Sequence, residues 1–146
     1  MCLKVFTKGD EKLYSRLSPG ARHLGSAFQK VNFLRDFADD SKELGRIYFP
    51  NIKDENLTNS NKADIVSDLK IEFALAEPYI TALPADSRIP VAISLAYYKA
   101  LLQKLDRAST DDIMNNRIRI NNFQKILIMI KTIFVYTFKP RPRLVK

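Results

Sequence analysis

GSAFQKVNFLRDFADDSKELGRIYFP, Gly25 to Pro50, is the stretch whose reading decides the fold. At its centre are Asp36 and Asp40, within a segment that has no proline from Ala21 to Glu43. Residues four apart on a helix stack on one face, so these two carboxylates are expected to reach the same ion. At about 100° per residue, Gln29, Asn32, Asp36, Asp40 and Glu43 fall within an arc of roughly 80°. Leu24, Ala27, Phe28, Val31, Leu34 and Ala38 make a core face on the opposite side, while Phe33, Phe37 and Leu44 flank the polar stripe. Arg22, Lys30 and Arg35 interrupt the apolar surround. Charged residues at this spacing more often form a solvated face. Two phenylalanines beside the acids, and amides continuing their line, point instead to a cavity wall. Carboxylates with an amide oxygen suit a hard cation such as Mg²⁺, which shares its oxygen ligands with substrate phosphates.

Composition narrows the alternatives. The 146 residues are one domain's worth of chain, 46% hydrophobic and 27% charged, as in globular proteins. Four glycines are too few for a sheet protein with many tight turns, so an all-α fold is expected. The net charge of +8 invites an anionic partner: a diphosphate, an acidic lipid surface or nucleic acid. No basic block with interleaved aromatics stands out, and a nucleic-acid partner is not expected. Cys2 is the single cysteine and His23 the single histidine, which excludes an internal disulfide, a Cys/His zinc site and a histidine-based triad within one chain. A lone cysteine fits a reducing compartment, hence a cytoplasmic location.

The remaining pattern is helical throughout. Gly9 breaks a first segment, and Ser18-Pro19-Gly20 reads as the start signal of the motif helix, separating it from a short piece over Asp10 to Leu17. Gly45 is expected to close the motif helix, with Arg46 to Pro50 leaving it extended. Asn51 to Asn61 reads as a loop, followed by helices over Lys62 to Leu83 and Pro84 to Arg107. Pro78 is expected to kink the first of these. Thr110-Asp111-Asp112 is expected to cap a last helix running to about Phe138. Within it ILIMIKTIFVYTF is too short for a membrane span and holds Lys131, so a core helix is the default. The tail KPRPRLVK suits an anionic membrane surface, with the apolar helix end dipping into it, which adds a peripheral site at the inner membrane face to the expected location.

The run LGSAFQKVNFLRDFADD followed by GRIYFP resembles the second aspartate-rich motif of the squalene and phytoene synthase family, with wording similar to its bacterial phytoene synthases. The frame Tyr98-x-x-Leu101-Leu102-x-x-Leu105 is similar to the family's late helix, and Arg117-Ile118-Arg119-Ile120 with Lys125 to its final basic helix. Met1 to Phe6 reads as a helix end, so Met1 is expected to correspond to an internal position and residues 1–146 to a single all-helical domain. That domain resembles the C-terminal half of the isoprenoid synthase bundle, the first aspartate-rich motif lying in the other half.

The resemblance implies an Mg²⁺-assisted prenyltransferase that joins two geranylgeranyl diphosphates head to head. Asn32, Asp36 and Asp40 would hold the metal, and Asp36, Asp40, Arg35 and Tyr48 would form the catalytic group. Gln29, Asn32, Arg46, Tyr98, Arg117, Phe33 and Phe37 would contact substrate, the two rings facing a carbocation. The expected partners are a prenyl diphosphate, the missing N-terminal half or a second copy, and a membrane surface. Squalene or dehydrosqualene synthesis from farnesyl diphosphate and a non-catalytic helical assembly protein are the alternatives.

Overall fold

A computed structural model of the chain describes residues 2–37 and 57–138. All regular structure among these residues is helical: α1 (Cys2–Phe6), α2 (Glu11–Arg35), α3 (Asn59–Thr81), α4 (Ala85–Arg107), α5 (Thr110–Asn115) and α6 (Asn122–Phe138). Asp40, Gly45, Arg46, Tyr48 and the basic tail lie outside the described residues.

The turn after α1 is made by two residues with positive φ, Lys8 at 51° and Gly9 at 84°. Asp10 then caps α2, its carboxylate accepting from the Lys12 and Leu13 amides at 3.0 Å each. From there α2 runs unbroken for 25 residues, so Ser18-Pro19-Gly20 is not a boundary and the separate piece over Asp10 to Leu17 does not exist. The reason lies in which face the proline occupies. Pro19 deprives the Ser15 carbonyl of its helical partner, and both residues are exposed, so water can take the place of the amide. Pro78 in α3 and Pro90 in α4 follow the same rule, with exposed Ala74 and Asp86 four residues before them.

The core forms where α2, α3 and α4 meet. Leu17, Val31 and Leu34 of α2, Val66, Leu69 and Phe73 of α3, and Leu101 and Leu105 of α4 are fully buried. Helices α2 and α3 pack chiefly on each other, α4 packs on α6, and α4 also meets α3 and α2. Gly20 sets the α2–α3 distance: a Cβ placed there would lie 2.2–2.5 Å from the ring and Cβ atoms of Tyr79. The buried Lys62 ties α3 to the end of α4, donating from Nζ to the Asp106 carbonyl at 2.9 Å and to that of Ala108. A cation at this point also complements the negative end of the α4 dipole.

The expected last helix is two helices. Ser109, not Thr110, caps α5 through a reciprocal capping box with Asp112, and Asn116 leaves the helix at φ −137°, ψ 134°. The chain re-enters helix at α6, where Asn121 Oδ1 accepts from the Gln124 amide at 2.8 Å. Nor is α6 a core helix. Its inward face is Gln124, Ile128, Thr132 and Tyr136, while most of its apolar side chains are exposed.

Gly20→Ala is expected to destabilise the chain by about 1–3 kcal/mol, the usual effect of overpacking a tight contact. Thermal unfolding reads this directly, and an unchanged midpoint would show that the Tyr79 ring moves aside freely.

Candidate functional site

Three parts of the chain converge where α2 ends. Helix α2 stops at Arg35, and Asp36 takes the C-cap position with φ −98° and ψ 12°, its backbone N–H donating to the Asn32 carbonyl at 2.8 Å. Asp36 therefore ends α2 rather than lying within it, and the rest of the helix expected from the spacing lies outside the described residues. Aspartate is a weak helix former because its carboxylate competes for local donors. Here the donors are guanidiniums: Arg35 Nε lies 3.0 Å from Asp36 Oδ1 and Arg35 Nη2 2.5 Å from Oδ2. Arg117, from the 116–121 segment between α5 and α6, brings its Nε to 3.0 Å from Oδ1.

Tyr98 of α4 reaches the same place from the other side. Its hydroxyl accepts from Asn32 Nδ2 at 3.1 Å and lies 3.3 Å from Asn32 Oδ1, to which it can donate. Its ring stacks on Phe28 at a centroid distance of 4.1 Å and an interplanar angle of 18°, with Tyr97 edge-on at 5.5 Å. Two side-chain pairs, Asn32 with Tyr98 and Asp36 with Arg117, thus form one helical turn apart at the end of α2. Arg35 belongs to the group as a clamp on Asp36 itself. Gln29 is exposed and takes no part in these bonds. Phe37 is buried in the core cluster, and Phe33 is partly buried against it.

Beside this polar group lies an apolar cavity of about 430 Å³ between α1, α2, α3 and α4. Leu3, Phe6, Leu24, Phe28, Tyr79 and Val91 are among its lining residues. Phe28 belongs to both regions, presenting one ring to the cavity and to Tyr98. Phe33 and Phe37, the rings expected from the sequence to form such a wall, are not among its lining residues. The signal for Phe28 was its place one turn before Asn32, and its membership of the core face hid it.

Among the described residues no group of three or more His, Cys, Asp and Glu side chains comes together. The Asp36 carboxylate and the Asn32 amide oxygen, one helical turn apart, are nevertheless donors of the kind a hard cation takes. Asp40, the third expected ligand, lies outside the described residues, as do Arg46 and Tyr48.

Partial burial pushes the Asp36 carboxyl up, but the hydrogen bond and charge of Arg35, with Arg117 behind them, outweigh it and hold the group below its ordinary 3.8. A carboxyl depressed by folding stabilises the fold above its ordinary value, and that contribution is lost as pH falls through the folded value. A carboxyl ¹³C titration of the folded chain should therefore place the Asp36 midpoint below 3.8, and Arg117→Ala should move it upward. A wild-type midpoint at or above 3.8 would contradict the ion-pair geometry.

Comparison with known proteins places the chain in a family. The profile of the squalene/phytoene synthase family matches residues 1–124. A phytoene synthase of Arthrospira platensis is 31% identical over 122 residues, covering 73% of this chain and 38% of that protein. A 15-cis-phytoene synthase of Synechocystis sp. is 33% identical over 121 residues, covering 73% of this chain and 35% of that protein. The chain thus spans less than two fifths of the length of these relatives. No solved structure matches it. The chain, whose regular structure is helical throughout the described residues, belongs to the squalene/phytoene synthase family.

Proposed function

We propose that this chain supplies one wall of a prenyl diphosphate site and contributes it to phytoene synthase-type chemistry, the head-to-head joining of two geranylgeranyl diphosphates. One observation carries the reading: a polar group able to hold a diphosphate sits one aromatic pair away from an apolar cavity able to hold a hydrocarbon tail. The named relatives, both phytoene synthases, support the twenty-carbon substrate over the fifteen-carbon one.

Each residue then has a task. Arg117 is 46% exposed, and its guanidinium suits phosphate oxygens with a fork that lysine does not provide. Arg35 is bound to both Asp36 oxygens and holds that carboxylate in one orientation. Tyr98, fixed by Asn32 and by the stack on Phe28, directs its hydroxyl toward the same end of the site. Phe28, Leu24, Tyr79 and Val91 enclose the tail and keep water from the carbon that loses diphosphate. A magnesium ion held by Asp36, Asn32 and Asp40 would supply Lewis-acid neutralisation of the charge on the departing diphosphate. Asp36 Oδ1 takes the Nε contacts of both arginines and Oδ2 takes one from Arg35, which leaves an acceptor site on Oδ2 for the cation. We assign the opposing acidic wall to a second chain or to a longer product.

Titrating the whole chain with geranylgeranyl diphosphate, with and without Mg²⁺, tests this. Binding is expected to need Mg²⁺ and to weaken about tenfold or more in Asp36→Asn and in Arg117→Ala, equivalent to about 1.4 kcal/mol for each tenfold. Binding that ignores the metal and both substitutions would remove the proposal.

A further inference from the structure

Helix α6 presents its apolar side chains outward. Nine of the twelve exposed large hydrophobic residues among the described residues lie on this one helix, from Phe123 at 70% exposure to Phe138 at 72%. At about 100° per residue, Phe123, Ile126, Leu127, Ile130, Phe134 and Phe138 occupy an arc of roughly 120°, broken by Thr137 alone. The face turned inward is the more polar one. Thr132 and Tyr136 are buried there, the Thr132 hydroxyl donating to the Ile128 carbonyl at 2.7 Å. A cavity of about 300 Å³, lined by small α4 residues including Ala92, Ala96 and Ala100, lies between α4 and α6.

Charge follows the same division. None of the 16 acidic residues lies beyond Asp112, whereas eight of the 24 basic ones do, so the last 34 residues carry the entire excess of +8. Four of the eight, Lys139, Arg141, Arg143 and Lys146, follow the exposed helix directly. The family match ends at residue 124, so most of α6 and all of this tail lie beyond it.

We propose that α6 is an in-plane anchor that seats its outward face in the interface of an anionic lipid surface, to which the basic excess of this part of the sequence adds attraction. An apolar helix face beside clustered cations and without an acid is what such a surface binds. Among the described residues no helix is long and apolar enough to cross a membrane, and α6, about 25 Å long, suits the plane of the surface instead. A second copy fits less well, because pairing this face with itself brings two strongly basic tails together. The placement does not depend on the prenyl diphosphate reading.

Co-sedimentation of the whole chain with vesicles of phosphatidylglycerol and phosphatidylcholine tests it. The chain should pellet with them and bind vesicles of phosphatidylcholine alone about tenfold or more weakly. The pair Ile130→Gln and Phe134→Gln, at 57% and 66% exposed positions, should keep its helical circular dichroism and lose about tenfold or more of the binding. Replacing Lys139, Arg141 and Arg143 by Gln should weaken binding to the anionic vesicles and leave the weak neutral binding unchanged. Wild-type chain left in the supernatant would overturn the proposal. So would equal binding by the Ile130/Phe134 pair, or a dimer in sedimentation velocity that the pair dissolves without vesicles being bound.

Discussion

The close approach of α2 and α3 at Gly20 and Tyr79 is the contact on which the rest of the structure depends. A side chain at position 20 would occupy the space of the Tyr79 ring, so the absence of a Cβ lets the helices meet there. Both residues line the apolar cavity, and their contact fixes one of its walls. The same packing brings α2 and α3 against α4, which carries Tyr98 opposite Asn32. Displacing α2 by even an ångström would separate a 3.1 Å hydrogen bond and the ring stack beneath it. Packing at one end of α2 thereby sets the chemistry available at the other.

At that other end, electrostatics takes over from packing. Asp36 caps the helix and gathers two guanidiniums, one from its neighbour and one from a segment eighty residues later. A helix C-terminus favours cations, and Arg35 and Arg117 are the cations found there. The aspartate serves two purposes: it holds Arg117 over the end of α2, and it keeps an anionic oxygen group in place that a metal can share. On the proposed reading, the guanidinium charges lie where a diphosphate would arrive, and the tail cavity opens one ring away.

Much of this was legible in the sequence, for physical reasons that differ by element. The periods of three and four in Lys62 to Leu83 and in Pro84 to Arg107 are strong and give α3 and α4 within three residues. Ser18-Pro19-Gly20 misleads because a proline's effect depends on whether the carbonyl four residues before it can reach water, which local sequence does not reveal. The break between α5 and α6 is hidden because Ile118 and Ile120 continue the apolar pattern across it; Ile120 is buried from an extended segment. In α6, apolar residues cover so much of the helix that composition does not say which side faces in. The stripe at Asn32 and Asp36 was visible from spacing. Tyr98 and Arg117 came from resemblance, since nothing local marks a tyrosine in an apolar stripe as bonded to an asparagine on another helix.

On the proposed reading, Asn32, Asp36, Tyr98 and Arg117 act together as one diphosphate-binding group. Amide and side-chain chemical-shift mapping of the folded chain, on adding inorganic diphosphate with Mg²⁺, tests it most directly. Shifts are expected to concentrate at these four residues and at Arg35 and Phe28, with α6 unaffected. Shifts spread over the basic surface from Arg119 to Lys131, with the end of α2 silent, would contradict it.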